Sequence, residues 1–185
     1  MTANLSVSII GLGNVFLGDD GFGPLVVETF RCAYECGEDV EVMDLGTPGL
    51  DLAPYLYGKD LVLIVDAVHS ATPPGTISFF REEDFVSSRA KLRITGHDPG
   101  LWESLAHLRL AGHAPSELIV LGITPESCTF AEGVSQRLVQ IGWEASATIA
   151  DLLENLGVAC RARSTKVTPN FWWLPLVDTK RPTAA

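Results

Sequence analysis

The sequence predicts an α/β fold of three layers, α/β/α, with a mostly parallel sheet between helices. Three observations lead there. With 185 residues, 46% of them hydrophobic and 19% charged, and a mean hydropathy of +0.22, the chain has the composition of one globular domain. Short β-branched runs alternate with stretches whose apolar residues recur at helical spacing. The uninterrupted apolar run Leu-Val-Leu-Ile-Val at 61–65 has the character of a central strand buried on both faces.

Residues 5–10 form a first strand ending at Gly11, and Leu25, Val26, Phe30 and Ala33 mark a helix from about Phe22, so strand, glycine-rich turn and helix open the chain. Residues 40–45 read as a second strand, 50–57 as a short helix after Pro48-Gly49, and 61–68 as the central strand. After the loop at Pro73-Pro74-Gly75, residues 76–80 form a further strand, and the short polar turn before it predicts an antiparallel strand at a sheet edge. Residues 101–110 are a helix, 117–123 a strand and 134–156 a long amphipathic helix.

The α/β domain thus occupies residues 1–156, and 157–185 form a basic extension in which the periodic pattern dissolves. That extension carries Arg161, Arg163, Lys166, Lys180 and Arg181 against Asp178, with Phe171-Trp172-Trp173 between prolines. Its two tryptophans either pack the tail over the domain or offer aromatic surface to a partner protein. A net charge of −10 argues against nucleic acid or anionic lipid as a partner, because phosphate neutralisation needs a basic surface. No run approaches the ~20 apolar residues of a bilayer span, and the amino terminus lacks a basic n-region and h-region, so the expected compartment is the cytoplasm. Cys32, Cys36, Cys128 and Cys160 are too few and scattered for a disulfide framework, and Cys32 and Cys36 read as small apolar residues near a packed helix face.

Open α/β sheets gather their chemistry beyond the carboxyl ends of the strands. At those ends stand Gly11-Leu12-Gly13-Asn14-Val15-Phe16-Leu17-Gly18-Asp19-Asp20-Gly21-Phe22-Gly23, then Asp44 with Gly46-Thr47-Pro48-Gly49, then Asp66, and finally His97-Asp98-Pro99-Gly100. A dinucleotide fingerprint requires a third glycine where Phe16 stands, and Asp19 and Asp20 would repel a phosphate at the helix entrance. One of the two aspartates is expected to cap the helix; one cap does not account for both. Asp66 closes the apolar run, where an unpartnered carboxylate is costly, so it meets a donor, a cation or water, or else caps the following loop. Asp20, Asp66 and His97 together make an O,O,N set suited to a borderline divalent ion such as Ni, Zn or Mn. His69, His107 and His113 read as surface residues. There is neither a His-Glu-x-x-His zinc motif nor a Gly-x-Ser-x-Gly elbow.

The opening Gly-Leu-Gly-Asn-Val-Phe-Leu-Gly-Asp-Asp-Gly-Phe-Gly run, Asp44 with its Gly-Thr-Pro-Gly, Val65-Asp66-Ala67, Pro74-Gly75-Thr76, the His97 segment and Gly122-Ile123-Thr124-Pro125-Glu126-Ser127 resemble the hydrogenase maturation endopeptidases. The likeness spans residues 5 to about 156 in unbroken order. It implies a twisted five-stranded sheet, mostly parallel with an antiparallel edge, of the phosphorylase/hydrolase-like kind. It also implies removal of a C-terminal extension from the nickel-loaded large-subunit precursor of a [NiFe] hydrogenase, with Asp20, Asp66 and His97 as metal-contacting and catalytic positions. Nickel then arrives with the substrate, no permanent cofactor is expected, and the protease is a monomer. Asp20 stands where some members have Glu, shortening the reach by one methylene. Ser127 and Cys128 are read as structural. The alternatives are a nickel carrier or insertion chaperone using the same ligands without cutting, and a nucleotide-binding module using the glycine-rich turn. The extension after Gly157 lies outside the resemblance.

Overall fold

Period-two alternation along three strands divides the core into two halves. The computed structural model describes residues 5–48, 52–87, 93–94, 98–130 and 134–173. Strands β1 (Val7–Leu12), β3 (Val40–Gly46), β4 (Leu61–His69), β7 (Glu117–Ile123) and β5 (Ile77–Arg81) lie side by side in the order β3-β1-β4-β7-β5. All neighbours are parallel except β5 on β7. Val7 and Ile9 of β1, Leu61, Leu63, Val65 and Ala67 of β4, and Ile119, Leu121 and Ile123 of β7 face one core. Ile10, Leu12, Val62, Ile64, Val68, Leu118 and Val120 face the other. Each strand is buried on both sides, so its apolar run is nearly continuous.

Helices α1 (Phe22–Ala33) and α5 (Gln136–Asn155) cover the first face. They approach closely where Thr29 Oγ1 and Ser146 Oγ lie 2.6 Å apart beside Gly142, a polar contact whose other bonds go to the Val26 and Gly142 carbonyls. Ser135 caps α5 by accepting from the Leu138 amide. Helices α2 (Ala53–Leu56) and α4 (Asp98–Leu110) cover the second face and pack on each other, with α3 (Glu82–Ser87) following β5. The three layers, the five-stranded path and the antiparallel edge are those expected. The edge strand pairs with β7 because β4 is already flanked by β1 and β7. Of the expected helix at 50–57, Leu50 and Asp51 lie outside the described residues, as does Gly49.

Three expectations are corrected. Asp66, expected at the end of its strand, lies inside β4, which runs as expected through 68 and on to His69, and a strand not expected, β6 (Arg93–Ile94), pairs antiparallel with its end. Helix α1 stops at Ala33, where Tyr34 turns extended, and Cys36 therefore sits on a strand, β2 (Tyr34–Cys36), while Cys32 is in the helix. The chain after Gly157 is not wholly irregular: β8 (Cys160–Ala162) pairs antiparallel with β2. Beyond it, Phe171 is 7% exposed and joins the α1/α5 core, with the Asn170 amide bonded to Glu28. The anchor of the tail is thus Phe171, while Trp173 is half-buried and Trp172 is 69% exposed. Residues 174–185, with Asp178, Lys180 and Arg181, lie outside the described residues. Among the described residues no helix is long and apolar enough to cross a membrane.

Candidate active site

Two glycines set the site. Gly13 takes φ +135°, and a Cβ there would fall 1.8 Å from the Asp20 carbonyl oxygen, so only glycine lets the chain leaving β1 pass against the 3-10 turn Gly18–Gly21. Gly23, in the first turn of α1, lies so near the strand ends that a Cβ would stand 2.1 Å from Leu12 O and 2.4 Å from Val65 O. The segment carrying Asp20 is therefore held directly against the residue that precedes Asp66.

Asp20 is 5% exposed, and its Oδ2 accepts from the Asn14 amide at 2.8 Å. Asp19 is less buried; its Oδ2 accepts from the Glu126 amide at 2.7 Å, and its own amide donates to Ser127 O at 2.8 Å. One aspartate thus fastens the Pro-Glu-Ser block to the turn, and the other lies inward. Neither caps α1, contrary to expectation: Gly21 is the N-cap, and both carboxylates take amides from neighbouring loops instead.

Asp66 is fully buried within β4, and its Oδ1 accepts from the Ala67 amide at 2.7 Å. It is a strand residue rather than a loop cap. Alternation puts it on the face of Ile64 and Val68, the side covered by α4, which begins at Asp98. His97 precedes that helix and lies outside the described residues. Cys128 links the two acids: burial, then the charges of Asp20, Asp19 and Asp66, push its thiol up to about 11. Read in sequence as structural, Cys128 carries no motif beyond its position after Ser127. Among the described residues no three His, Cys, Asp or Glu side chains form a set able to hold an ion.

Asp44, at the end of β3, accepts from the Gly46 amide at 2.9 Å. Much of the residue is open to solvent, yet partial desolvation of its carboxyl raises it above the usual 3.8, opposed by the Gly46 bond and Arg31. It lines a cleft of about 340 Å³ with Asn14, Phe16 and Thr47, walled on the far side by Trp172 and Trp173. Trp172 meets Phe16 edge-on at 6.2 Å between ring centres. His69, His107 and His113 are exposed, as expected.

A sequence profile of HycI, hydrogenase maturation protease, matches residues 24–150. The chain belongs to the hydrogenase maturation protease family. Among its relatives of known sequence, the hydrogenase expression/formation protein HoxM of Azotobacter vinelandii is 30% identical over 159 residues, covering 85% of this chain and 77% of the relative. The hydrogenase 2 maturation protease of Escherichia coli K12 is 33% identical over 124 residues, 66% and 75% of the two chains. The hydrogenase maturating endopeptidase HybD from E. coli superposes with TM-score 0.77 at 29% identity, covering 86% of this protease and 99% of that chain. HybD of Thermococcus kodakarensis superposes with TM-score 0.63 at 26% identity over 80% and 99%. This protease is accordingly a hydrolase, an endopeptidase of hydrogenase maturation. The profile match contains Asp66 and His97 and begins just after the turn that holds Asp20.

Proposed function

We propose that the protease removes the C-terminal extension of the nickel-loaded large-subunit precursor of a [NiFe] hydrogenase, in the cytoplasm and as a monomer, and reads the substrate's nickel with Asp20, Asp66 and His97. The observation that carries this is the burial of two carboxylates, Asp20 and Asp66, on adjoining backbone segments at the carboxyl end of the sheet. Carboxylate oxygens on two such neighbouring segments are the ligand type a divalent cation takes. With His97, which precedes α4 in the sequence, they would make an O,O,N set of the kind a borderline ion accepts, with positions left for the substrate's own ligands.

Nickel then acts as the checkpoint, because only metallated precursor brings the ion that this ligand set would recognise. The ion would be held by Asp20, Asp66 and His97 and would supply Lewis-acid polarisation of the scissile carbonyl, with the non-coordinating oxygen of Asp20 or Asp66 available to take up the proton of the attacking water. The cleft lined by Asn14, Phe16, Asp44 and Thr47 adjoins Asp20 through Asn14, whose amide donates to the Asp20 carboxylate, and would give the substrate peptide a path. The test is to incubate the full chain with nickel-loaded and nickel-free precursor and to follow the released peptide by mass spectrometry. Release from the loaded precursor alone is expected. Nickel transfer without a released peptide would make the protein a carrier and overturn the proposal.

A further inference from the structure

The ribbon that joins the tail to the domain sets two cysteines face to face. β2 and β8 pair Tyr34 with Ala162, Glu35 with Arg161 and Cys36 with Cys160. The Gly37 amide donates to Ala159 O and the Arg163 amide to Ala33 O, so by alternation the Cys36–Cys160 pair is one of the non-hydrogen-bonded kind. In such pairs the Cα atoms stand about 4.5 Å apart, inside the range of about 4.4–6.8 Å that a disulfide spans. The sulfur atoms lie 2.9 Å apart, with the Cys36 thiol donating to Cys160 Sγ. The other two cysteines differ: Cys32 is buried in α1 with its thiol directed at Glu28, and Cys128 sits among the site's aspartates.

We propose that Cys36 and Cys160 form a reversible dithiol–disulfide site, oxidised by a low-molecular-weight disulfide of the glutathione type, that fastens the C-terminal strand to the domain. The hydrogen bond from Cys36 holds Cys160 below the ordinary thiol value and Cys36 above it, which makes Cys160 the attacking sulfur. Its thiolate attacks one sulfur of the small disulfide, forming a mixed disulfide and expelling a thiolate that takes up the proton Cys160 gave. Cys36 then releases its proton and attacks Cys160 Sγ; the Cys36–Cys160 bond forms, and the second small thiolate leaves with that proton. Two protein thiols are oxidised, and one small disulfide is reduced to two thiols. Both thiols are partly exposed, and Cys36, its sulfur 2.9 Å from that of Cys160, borders a hollow of about 350 Å³ shared with Arg31, Glu35 and Arg163.

The consequence reaches the cleft. The bond joins positions 124 apart and fixes β8, from which the chain runs to Phe171 and to the tryptophans beside Phe16. Oxidation state then governs how firmly the aromatic wall of the cleft is held.

The full chain is equilibrated in buffers of graded reduced and oxidised glutathione, quenched in acid, alkylated and mapped by peptide mass spectrometry. The expected product is a Cys36–Cys160 linked peptide lacking two hydrogens, with Cys32 and Cys128 still alkylated. Closure of so long a loop should raise the melting temperature by roughly 10 °C over the reduced protein, and C36S or C160S should abolish that rise. Alkylation of both cysteines at saturating oxidised glutathione, arrest at a mixed adduct, or linkage to Cys32 or Cys128 would overturn the proposal. The mapping uses the wild-type chain, so it decides the matter even if a serine variant fails to fold.

Discussion

Replacing Gly23 by alanine tests how the site is held together. The added Cβ would stand 2.1 Å from Leu12 O and 2.4 Å from Val65 O, where ordinary contact begins near 3.4 Å, so both gaps are short by about 1 Å. Both obstacles are backbone at the ends of β1 and β4, and neither can rotate aside as a side chain would. Relief requires the first turn of α1 to lift off the sheet, at a cost near the ~3 kcal/mol upper end of overpacking penalties. Alanine's helix propensity returns up to ~1 kcal/mol of that. The net loss of about 2–3 kcal/mol corresponds to a fall in melting temperature of roughly 4–12 °C for a domain of this size. Activity should fall further than stability. Asp20 rides on the segment that must move while Asp66 stays with β4, and a displacement near 1 Å at reacting groups costs on the order of 100-fold. Thermal melts followed by circular dichroism, together with the peptide-release assay on the same preparation, measure both. A melting temperature within about 1 °C of wild type with full cleavage would refute the close-approach reasoning.

The other predictions concern single side chains. Asp66→Asn and Asp20→Asn should keep the wild-type circular dichroism spectrum and, on the proposed nickel reading, lose at least ~100-fold in peptide release, because the charge that would meet the cation is gone while the volume is kept; full cleavage by both would remove these residues from the site. Phe171→Ala should destabilise by about 3 kcal/mol and expose the tail to limited proteolysis, since the ring is buried against the α1/α5 core; an unchanged digestion pattern would show that the tail is held elsewhere. Asp44→Asn should be at least as stable as wild type at neutral pH. A carboxyl raised in the folded state contributes fully below its unfolded value and loses that contribution as pH rises through the folded one, and asparagine still accepts the Gly46 bond. Urea melts across acid to neutral pH check the sign, and a variant less stable than wild type at neutral pH would reverse it.

What was legible in the sequence followed from repetition and from cost. The alternating strands and helices repeat often enough to fix the layers, and the apolar run before Asp66 marks a place where a carboxylate is expensive. The edge direction of β5 followed from the short turn before it. Features made by contacts distant along the chain left no such mark. β2 and β8 are three residues each, too short for a period, and their pairing joins positions 124 apart. The separate duties of Asp19 and Asp20 depend on loop amides from Glu126 and Asn14, which no local pattern announces. Glycine at 23 looks like an ordinary helix glycine until the strand carbonyls are seen behind it. Cys128 carries no motif of its own, and only its proximity to the aspartates draws it into the site.

The most direct measurement of nickel recognition is X-ray absorption at the nickel edge, on nickel-loaded precursor alone and rapidly frozen with an excess of the protease. Added oxygen and nitrogen ligands on the nickel are expected when the wild-type protease is present, fewer with Asp66→Asn and fewer again when His97→Ala is combined with it. An identical nickel environment with and without the wild-type protease, in samples that go on to release the peptide, would contradict that recognition.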